Sequence, residues 1–473
     1  EHLSLPLMGE ISMEKQMGAG EELKGGVVKS GIEGLDEILD GGFDPGNVTL
    51  LAGPPGSGKS IMSAQFIYNG VVRYGETGIY VNFSESKSDF MRNMARLGMD
   101  FSRLEEEGRF KFIDAYNIFS KRSLDLIVSH ILDEITTFRI RRMVLDPINA
   151  ITALMDKEEL RAFVTTTIMG ICKVNNVTCM LVSNQHQGMV DEKLAELAFM
   201  CDVVIRLETK MVGDVVERFL VVEKARGKRN IVSRTEYLIT DSGIVVFTLP
   251  SRPLAKERWL EESVGIGHVE FDEKVLMGGV KRGTVTLISG PGGVGKSVLL
   301  VEFAASGVLR GERVLYVTFR DLKGVEKAFS GRGYNIEELK RTGLKLIEFQ
   351  PFKVTPGMML VTLKKVLDDF QPSRVVVEEV ASLRWLPREE YCRLINKMVS
   401  LFKSYNVTAM ISSGIDTNVM EADEFMAADN VIHIWRERKG GEAVRKISVI
   451  KMKGVHDRRI RELVYGEGEI KVF

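Results

Sequence analysis

Short, continuously apolar runs recur along this chain, each separated from the next by a longer stretch with helical spacing. The first set is Val48-Thr49-Leu50-Leu51, Gly78-Ile79-Tyr80-Val81-Asn82-Phe83, Met143-Val144-Leu145-Asp146 and Thr178-Cys179-Met180-Leu181-Val182-Ser183. The second set repeats the order as Val285-Thr286-Leu287-Ile288, Arg313-Val314-Leu315-Tyr316-Val317-Thr318-Phe319, Val375-Val376-Val377-Glu378 and Thr408-Ala409-Met410-Ile411-Ser412-Ser413. Runs this short, without polar alternation, predict strands buried on both faces, and the helical stretches between them predict parallel crossovers. Each set closes on β-rich sequence, as in Val215-Val216-Glu217-Arg218-Phe219-Leu220-Val221-Val222. The expected fold class is α/β: two tandem domains, each a mostly parallel twisted sheet with helices on both faces.

Pro250-Ser251-Arg252-Pro253 reads as the linker. The first domain is expected at 27–249, a linker at 250–260 and the second domain at 261–473. Residues 1–26, with Met8, Met13, Met17 and scattered glycines, are expected to be weakly ordered. The chain has 473 residues, 44% hydrophobic and 27% charged, which is a globular composition. Net charge is −1, but residues 1–250 carry 28 Lys and Arg against 35 Asp and Glu, and residues 251–473 carry 36 against 30. Uneven charge of this size is consistent with docking between layers, with an acidic partner for the basic half, or with an ordinary solvated surface. Cys172, Cys179, Cys201 and Cys392 form no C-x-x-C pair, so reduced thiols in a cytoplasmic protein are expected. No segment reads as a membrane span or signal peptide.

A glycine-rich loop follows the first strand of each set, the two copies lying 237 positions apart. They read Gly53-Pro54-Pro55-Gly56-Ser57-Gly58-Lys59-Ser60 and Gly290-Pro291-Gly292-Gly293-Val294-Gly295-Lys296-Ser297, and both fit G-x-x-x-x-G-K-[ST] in full. The glycines let backbone N–H groups wrap a phosphate, Lys59 and Lys296 reach the β and γ oxygens, and the Ser60 and Ser297 hydroxyls suit Mg²⁺. One such match arises by chance; two in equivalent contexts do not. ATP or ADP with Mg²⁺ is the expected cofactor of both loops. Asp146 and Glu378 end the third strand of each set, where a carboxylate holds Mg²⁺ in sites of this kind. The bland alternative for Asp146 is a strand end before Pro147.

Gly34-Leu35-Asp36-Glu37-Ile38-Leu39-Asp40-Gly41-Gly42 precedes the first loop, and Phe271-Asp272-Glu273-Lys274-Val275-Leu276-Met277-Gly278-Gly279 precedes the second. With its loop, the first stretch resembles the KaiC family of RecA-like ATPases. So do the endings Glu223-Lys224-Ala225-Arg226-Gly227 and Lys451-Met452-Lys453-Gly454-Val455-His456-Asp457-Arg458-Arg459-Ile460-Arg461-Glu462. The resemblance runs from about Val27 to the C-terminus. It implies tandem RecA-like P-loop domains assembled as hexameric double rings, with nucleotide bound between neighbouring subunits and hydrolysed.

It also implies roles. Glu85 falls at the family's water-orienting glutamate; alone, it reads as a surface acid beside a helix start. Asn184 and Gln185 fall where RecA-like proteins sense the γ-phosphate. Lys224 and Arg226 alternate along a strand and so share a face, and the family uses such a pair on the neighbouring subunit's nucleotide. Without the resemblance they read as strand-edge charges guarding against aggregation.

The second copy keeps the binding residues and changes the others. Glu378, followed by Glu379, replaces the usual aspartate, and one extra methylene displaces a carboxylate by about 1.5 Å. A misplacement of about 1 Å can cost on the order of a hundredfold in rate. Asp321, beside Arg320, stands where Glu85 stands in the first copy, and Lys451 and Lys453 replace Lys224 and Arg226, losing the planar guanidinium fork. The first domain is therefore expected to be the main ATPase and the second chiefly a nucleotide holder. Clock-type autophosphorylation is not expected, because Phe425 and Met426 occupy the family's acceptor positions and Thr417 lies farther upstream. The chain also ends at Phe473, soon after its last strand, without the regulatory tail of clock members. The expected partner is the chain itself, with a regulatory protein partner open. A DNA-binding recombination ATPase is the alternative, disfavoured because Pro147-Ile148-Asn149-Ala150 and Met189-Val190-Asp191-Glu192-Lys193 hold few cations for phosphate contact.

Overall fold

The computed structural model describes residues 26–116, 120–185, 192–212, 215–228, 234–248, 262–414, 420, 422–439, 442–454, 457, 459–466 and 469–473. Residues 1–25, Met189, Val190, Asp191, the linker 250–260 and Thr417 lie outside them. The chain divides into two compact units, one ending at Thr248 and the other starting at Leu249.

In the first unit the strands are β1 (Val48–Gly53), β2 (Gly78–Asn82), β3 (Phe110–Asp114), β4 (Arg142–Asp146), β5 (Thr178–Asn184), β6 (Val203–Val212), β7 (Val215–Ala225), β8 (Arg234–Thr240) and β9 (Gly243–Val246). Their order in one sheet is β3-β2-β4-β5-β1-β6-β7-β8-β9. Neighbours from β3 through β6 are parallel, and the pairs from β6 to β9 are antiparallel.

The second unit opens with a two-stranded ribbon, β10 (Ser263–Val264) and β11 (Val280–Lys281). Its main sheet uses β12 (Val285–Gly290), β13 (Val314–Thr318), β14 (Leu344–Glu348), β15 (Arg374–Glu378), β16 (Thr408–Gly414), β17 (Asn430–Lys439), β18 (Glu442–Lys451), β19 (Arg461–Tyr465) and β20 (Ile470–Val472). The order β14-β13-β15-β16-β12-β17-β18-β19-β20 repeats that of the first sheet.

The central strands are apolar throughout because both of their faces are covered. Leu50, Val81, Leu145 and Leu181 join a core on one face, while Leu51, Tyr80, Val144 and Val182 join a second core on the other. β2, β4, β5 and β1 lie in adjacent order, so the segments leaving their carboxyl ends form one continuous edge. That edge is where open α/β sheets build ligand sites.

A buried arginine sets the height of β4 against the helix that follows the first phosphate loop, Lys59–Tyr74. Arg142, the first residue of β4, is wholly buried and pairs with Glu76. It donates to the Phe66 and Lys29 carbonyls at 2.7 Å each and stacks over the Phe66 ring. Arg374 repeats the device at the start of β15, pairing with Glu312 and donating to the Phe303 carbonyl at 3.1 Å and the Gly265 carbonyl at 3.2 Å. Both guanidiniums pass beside a helical glycine. A Cβ on Gly70 would lie 2.1 Å from Arg142 Nε, and one on Gly307 would lie 2.8 Å from Arg374 Cδ.

Gly70→Ala and Gly307→Ala are therefore each expected to lower the unfolding free energy of their own unit by about 1–3 kcal/mol, the usual cost of overpacking. Gly170→Ala is the control, since its Cβ meets nothing within 4 Å. It should be neutral or slightly stabilising in a helix. Urea unfolding followed by circular dichroism checks all three.

Candidate nucleotide sites

Each loop is a tight turn capping a helix. Gly58 and Gly295 adopt φ 87° and 103°, a left-handed conformation that favours glycine, and lead directly into the helices Lys59–Tyr74 and Lys296–Leu309. The free N–H groups at those helix starts point at the loop, as an anion site requires. Lys59 Nζ donates to the carbonyls of Gly53 and Pro54 at 2.9 Å each, and Lys296 Nζ to those of Gly290 and Pro291 at 2.7 and 3.0 Å. Burial lowers the Lys59 ammonium pKa, and the Asp146 charge opposes that shift.

A tyrosine from the antiparallel half of each sheet braces the loop from behind. The Tyr237 hydroxyl on β8 donates to the Ser57 carbonyl, and the Tyr465 hydroxyl on β19 donates to the Gly295 carbonyl at 3.1 Å. Among the other loop residues, Ser57 Oγ closes the turn onto the Pro54 carbonyl at 2.8 Å, and Val294 is fully buried. Pro55, Gly56, Pro291, Gly292 and Gly293 line the outer rim, with at most partial burial.

The carboxylates at the ends of β4 and β15 are buried and tied to the loop serines. Asp146 accepts from the Tyr80 hydroxyl at 2.6 Å; burial nevertheless raises its pKa, against the pull of Tyr80, Ser60 and Lys59. Glu378 accepts from Ser297 Oγ at 2.6 Å and from the Tyr316 hydroxyl at 3.1 Å. The longer glutamate thus keeps both partners, its extra methylene being taken up within the site. One carboxylate and one hydroxyl per site form a hard, all-oxygen donor set, which fits Mg²⁺ retaining several waters.

The sites diverge at the next position. Glu85 follows β2 and is partly buried, with Asn82 and Asn93 amides at 3.4 Å from its two oxygens. Asn82 Oδ1 also accepts the Ser84 and Glu85 N–H groups at 2.8 and 2.9 Å, which fixes the turn that presents the carboxylate. Burial first, and the Asp146 charge second, hold the Glu85 carboxyl above its ordinary value of 4.5.

In the second unit the helix after β13 begins one residue earlier. Asp321 is its N-cap, exposed, and accepts from the Lys323 N–H at 3.3 Å. The acid that matches Glu85 by strand count therefore holds a helix end. The carboxylate paired with the second lysine is Glu379, with Oε2 3.6 Å from Lys296 Nζ and 3.6 Å from Arg320 Nη2.

Asn184 ends β5 opposite Gly53, and the Gln185 N–H donates to the Gly53 carbonyl at 3.0 Å. The Gln185 side chain accepts from Arg206 at 3.1 Å. The register position matching Asn184 in the second unit is Gly414, opposite Gly290, which has no side chain to offer.

Lys224 and Arg226 lie at the other end of the sheet. Lys224 pairs with Val204, and the Arg226 N–H donates to the Asp202 carbonyl, beside the start of β1. Four residues of β1 separate that level from the loop, about 13 Å. Both side chains face one patch: Lys224 Nζ donates to the Phe199 carbonyl at 2.6 Å, and Arg226 lies 3.4 Å from Asp202. Lys451 is placed alike, donating to the Ala428 carbonyl at 2.6 Å over the Phe425 ring, and the Lys453 N–H donates to Asn430 at 2.9 Å.

With this geometry in place, the comparisons decide the family. The family model described as the KaiC ATPase matches residues 28–251 and again 264–473. The chain belongs to the KaiC family of ATPases. It is 27% identical over 461 residues to the circadian clock oscillator protein KaiC of Parathermosynechococcus lividus, covering 94% of this chain and 85% of that protein. It is 26% identical over 460 residues to the protein of the same name from Synechococcus elongatus, covering 92% and 87%. The circadian clock protein KaiC3 of Synechocystis is 25% identical over 453 residues, covering 92% and 89%. Tandem KaiC-type domains account for the duplicated sheets, and membership supports ATP or ADP as the nucleotide. No helix among the described residues is long and apolar enough to cross a membrane.

Sequence reasoning missed Tyr80 and Tyr316, which hold the Asp146 and Glu378 carboxylates, and Tyr237 and Tyr465, which hold the loops. A tyrosine inside an otherwise aliphatic strand in both copies was the available signal for the first pair.

The raised Glu85 pKa carries a stability consequence. A carboxyl raised in the folded state stabilises the fold while protonated, and that contribution is lost as pH rises through the raised value. Glu85→Gln is expected to unfold at higher denaturant concentration than the natural chain at neutral pH, the gain vanishing below the ordinary value of 4.5. Denaturant midpoints measured across that range check it.

Proposed function

We propose that this KaiC-family chain assembles into a double-ring homo-oligomer, of hexameric rings, in which the first module hydrolyses Mg²⁺-ATP and the second chiefly holds nucleotide. The reading rests above all on one contrast: Glu85 feels the charge of Asp146 from a turn fixed by Asn82, while Asp321 caps a helix. Lys59 and Lys296 bind the β and γ oxygens, and the N–H groups of both loops wrap them. Ser60 with Asp146, and Ser297 with Glu378, hold Mg²⁺, which when bound neutralises charge on the phosphates. Glu85 orients the attacking water, and Asn184 and Gln185 sense the γ-phosphate.

Lys224 and Arg226 stand about 13 Å from their own loop, so their charge serves a neighbouring subunit's nucleotide. There Arg226 stabilises the charge that develops on the transferring group. Lys451 and Lys453 do so less well, lacking the fork. Ring nucleotide state then serves as a switch for a protein partner, in the cytoplasm. Clock-type autophosphorylation is not part of this reading, since Phe425 and Met426 offer no hydroxyl.

Two measurements test it. Glu85→Gln is expected to lower steady-state ATP turnover about a hundredfold, and Asp321→Asn to leave most of it; the reverse outcome would place the working site in the second ring. Arg226→Ala is expected to lower turnover by on the order of a thousandfold with bound nucleotide retained. Mixing Arg226→Ala chains with Lys59→Ala chains should restore part of the activity, because a mixed ring rebuilds intact sites between unlike neighbours. No recovery in demonstrably mixed rings would exclude the trans role.

A further inference from the structure

The second site holds a carboxylate that the first lacks. Glu379 follows the metal-site acid Glu378, and its backbone is left-handed at φ 62°, ψ 56°. That conformation is uncommon for a residue with a side chain and tends to occur where function imposes it. The Glu379 N–H is held by Ser412 Oγ at 2.8 Å. Gly414 leaves room for the side chain: a Cβ there would lie 2.9 Å from Glu379 Oε1. In the first site the corresponding register position carries Asn184, and the residue after Asp146 is Pro147. Two changes therefore cooperate in the second copy, one adding the carboxylate and one clearing its place.

The carboxylate goes to cations that a triphosphate would use. Its Oε2 lies 3.6 Å from both Lys296 Nζ and Arg320 Nη2, and the side chain is only 14% exposed. Lys296 is the residue that must reach the β and γ oxygens. Arg320 stands where the first copy has Ser84, so this pair too is peculiar to the second site. We propose that Glu379 is a tethered competitor for the γ-phosphate, which makes the second loop a site selective for nucleoside diphosphate over triphosphate. ADP leaves the Lys296–Glu379–Arg320 cluster intact, whereas the γ-phosphate must displace Glu379 from Lys296 and then lie beside a like charge in a poorly solvated place. The inference rests on the reading of the second module as a nucleotide holder and gives that module a task, reporting the ratio of ADP to ATP.

The test uses the full chain carrying Lys59→Met, which disables only the first loop. Isothermal titration calorimetry with Mg²⁺ then gives the affinities for ADP and for a non-hydrolysable ATP analogue, with and without Glu379→Gln. The unsubstituted second site is expected to prefer ADP by about tenfold or more, a preference worth 1.4 kcal/mol per decade. Glu379→Gln should erase most of that preference by raising analogue affinity, with ADP affinity changed less than about threefold. Glu379→Gly, which also suits the left-handed backbone, should do the same and guards against a folding artefact of the amide. Binding with an unchanged ratio in both variants would overturn the inference alone, as would a fall in analogue affinity, which would make Glu379 a helper of the γ-phosphate. Absence of any nucleotide at the second loop would overturn the holder reading itself and the inference with it.

Discussion

A buried carboxylate held by a strand tyrosine beside a phosphate-loop serine is the feature on which both modules turn. In the first module Asp146 joins β4 to Ser60 and, through Tyr80, to β2; in the second Glu378 joins β15 to Ser297 and Tyr316. An ionised carboxylate in such a place is costly unless its lone pairs are engaged, and these partners engage them. The arrangement ties each closing carboxylate to its neighbouring strand. Arg142 and Arg374 do the same at the opposite ends of β4 and β15, so each strand is anchored at both ends.

Because that frame is duplicated, differences between the copies stand out around it. The frame residues change least: serine stays serine, tyrosine stays tyrosine, and aspartate becomes a glutamate that keeps the same two partners. The residues in the turns after β2 and β5 change most. The acid matching Glu85 caps a helix, Asn184 becomes Gly414, and Ser84 becomes Arg320. A single-residue shift in helix start is enough to make Asp321 a helix cap where the first copy has Glu85. The copies therefore share the inner frame of carboxylate, tyrosine and loop serine and differ in the turns after β2, β5 and their counterparts.

Much of this was legible in the sequence because the signals were local. The two loops, the runs of apolar strand residues and the acids closing β4 and β15 each lie within a few consecutive positions, where steric and hydrogen-bonding rules act directly. The unread parts depend on register across the sheet. Nothing near Tyr237 or Tyr465 announces that its hydroxyl meets a loop some 170–180 residues away. Arg142 and Arg374 are charged residues that open strands, and they are buried because a helix glycine and an acid make room for them. The placement of Lys224 and Arg226 far from their own loop likewise emerges only once β6 and β7 are paired. Strand count sets Asp321 opposite Glu85, but strand count does not determine where a helix begins.

The central claim, one hydrolysing site and one holding site per chain, is tested most directly by a single-turnover experiment on the natural protein. Nucleotide-free chains loaded with γ-labelled ATP, started with Mg²⁺ and quenched over time, give the amplitude of phosphate release relative to bound ATP. The account expects a fast phase that stops well short of the total, its amplitude set by the first site, and then slow release of the remainder. A single phase that consumes all bound ATP at one rate would contradict it.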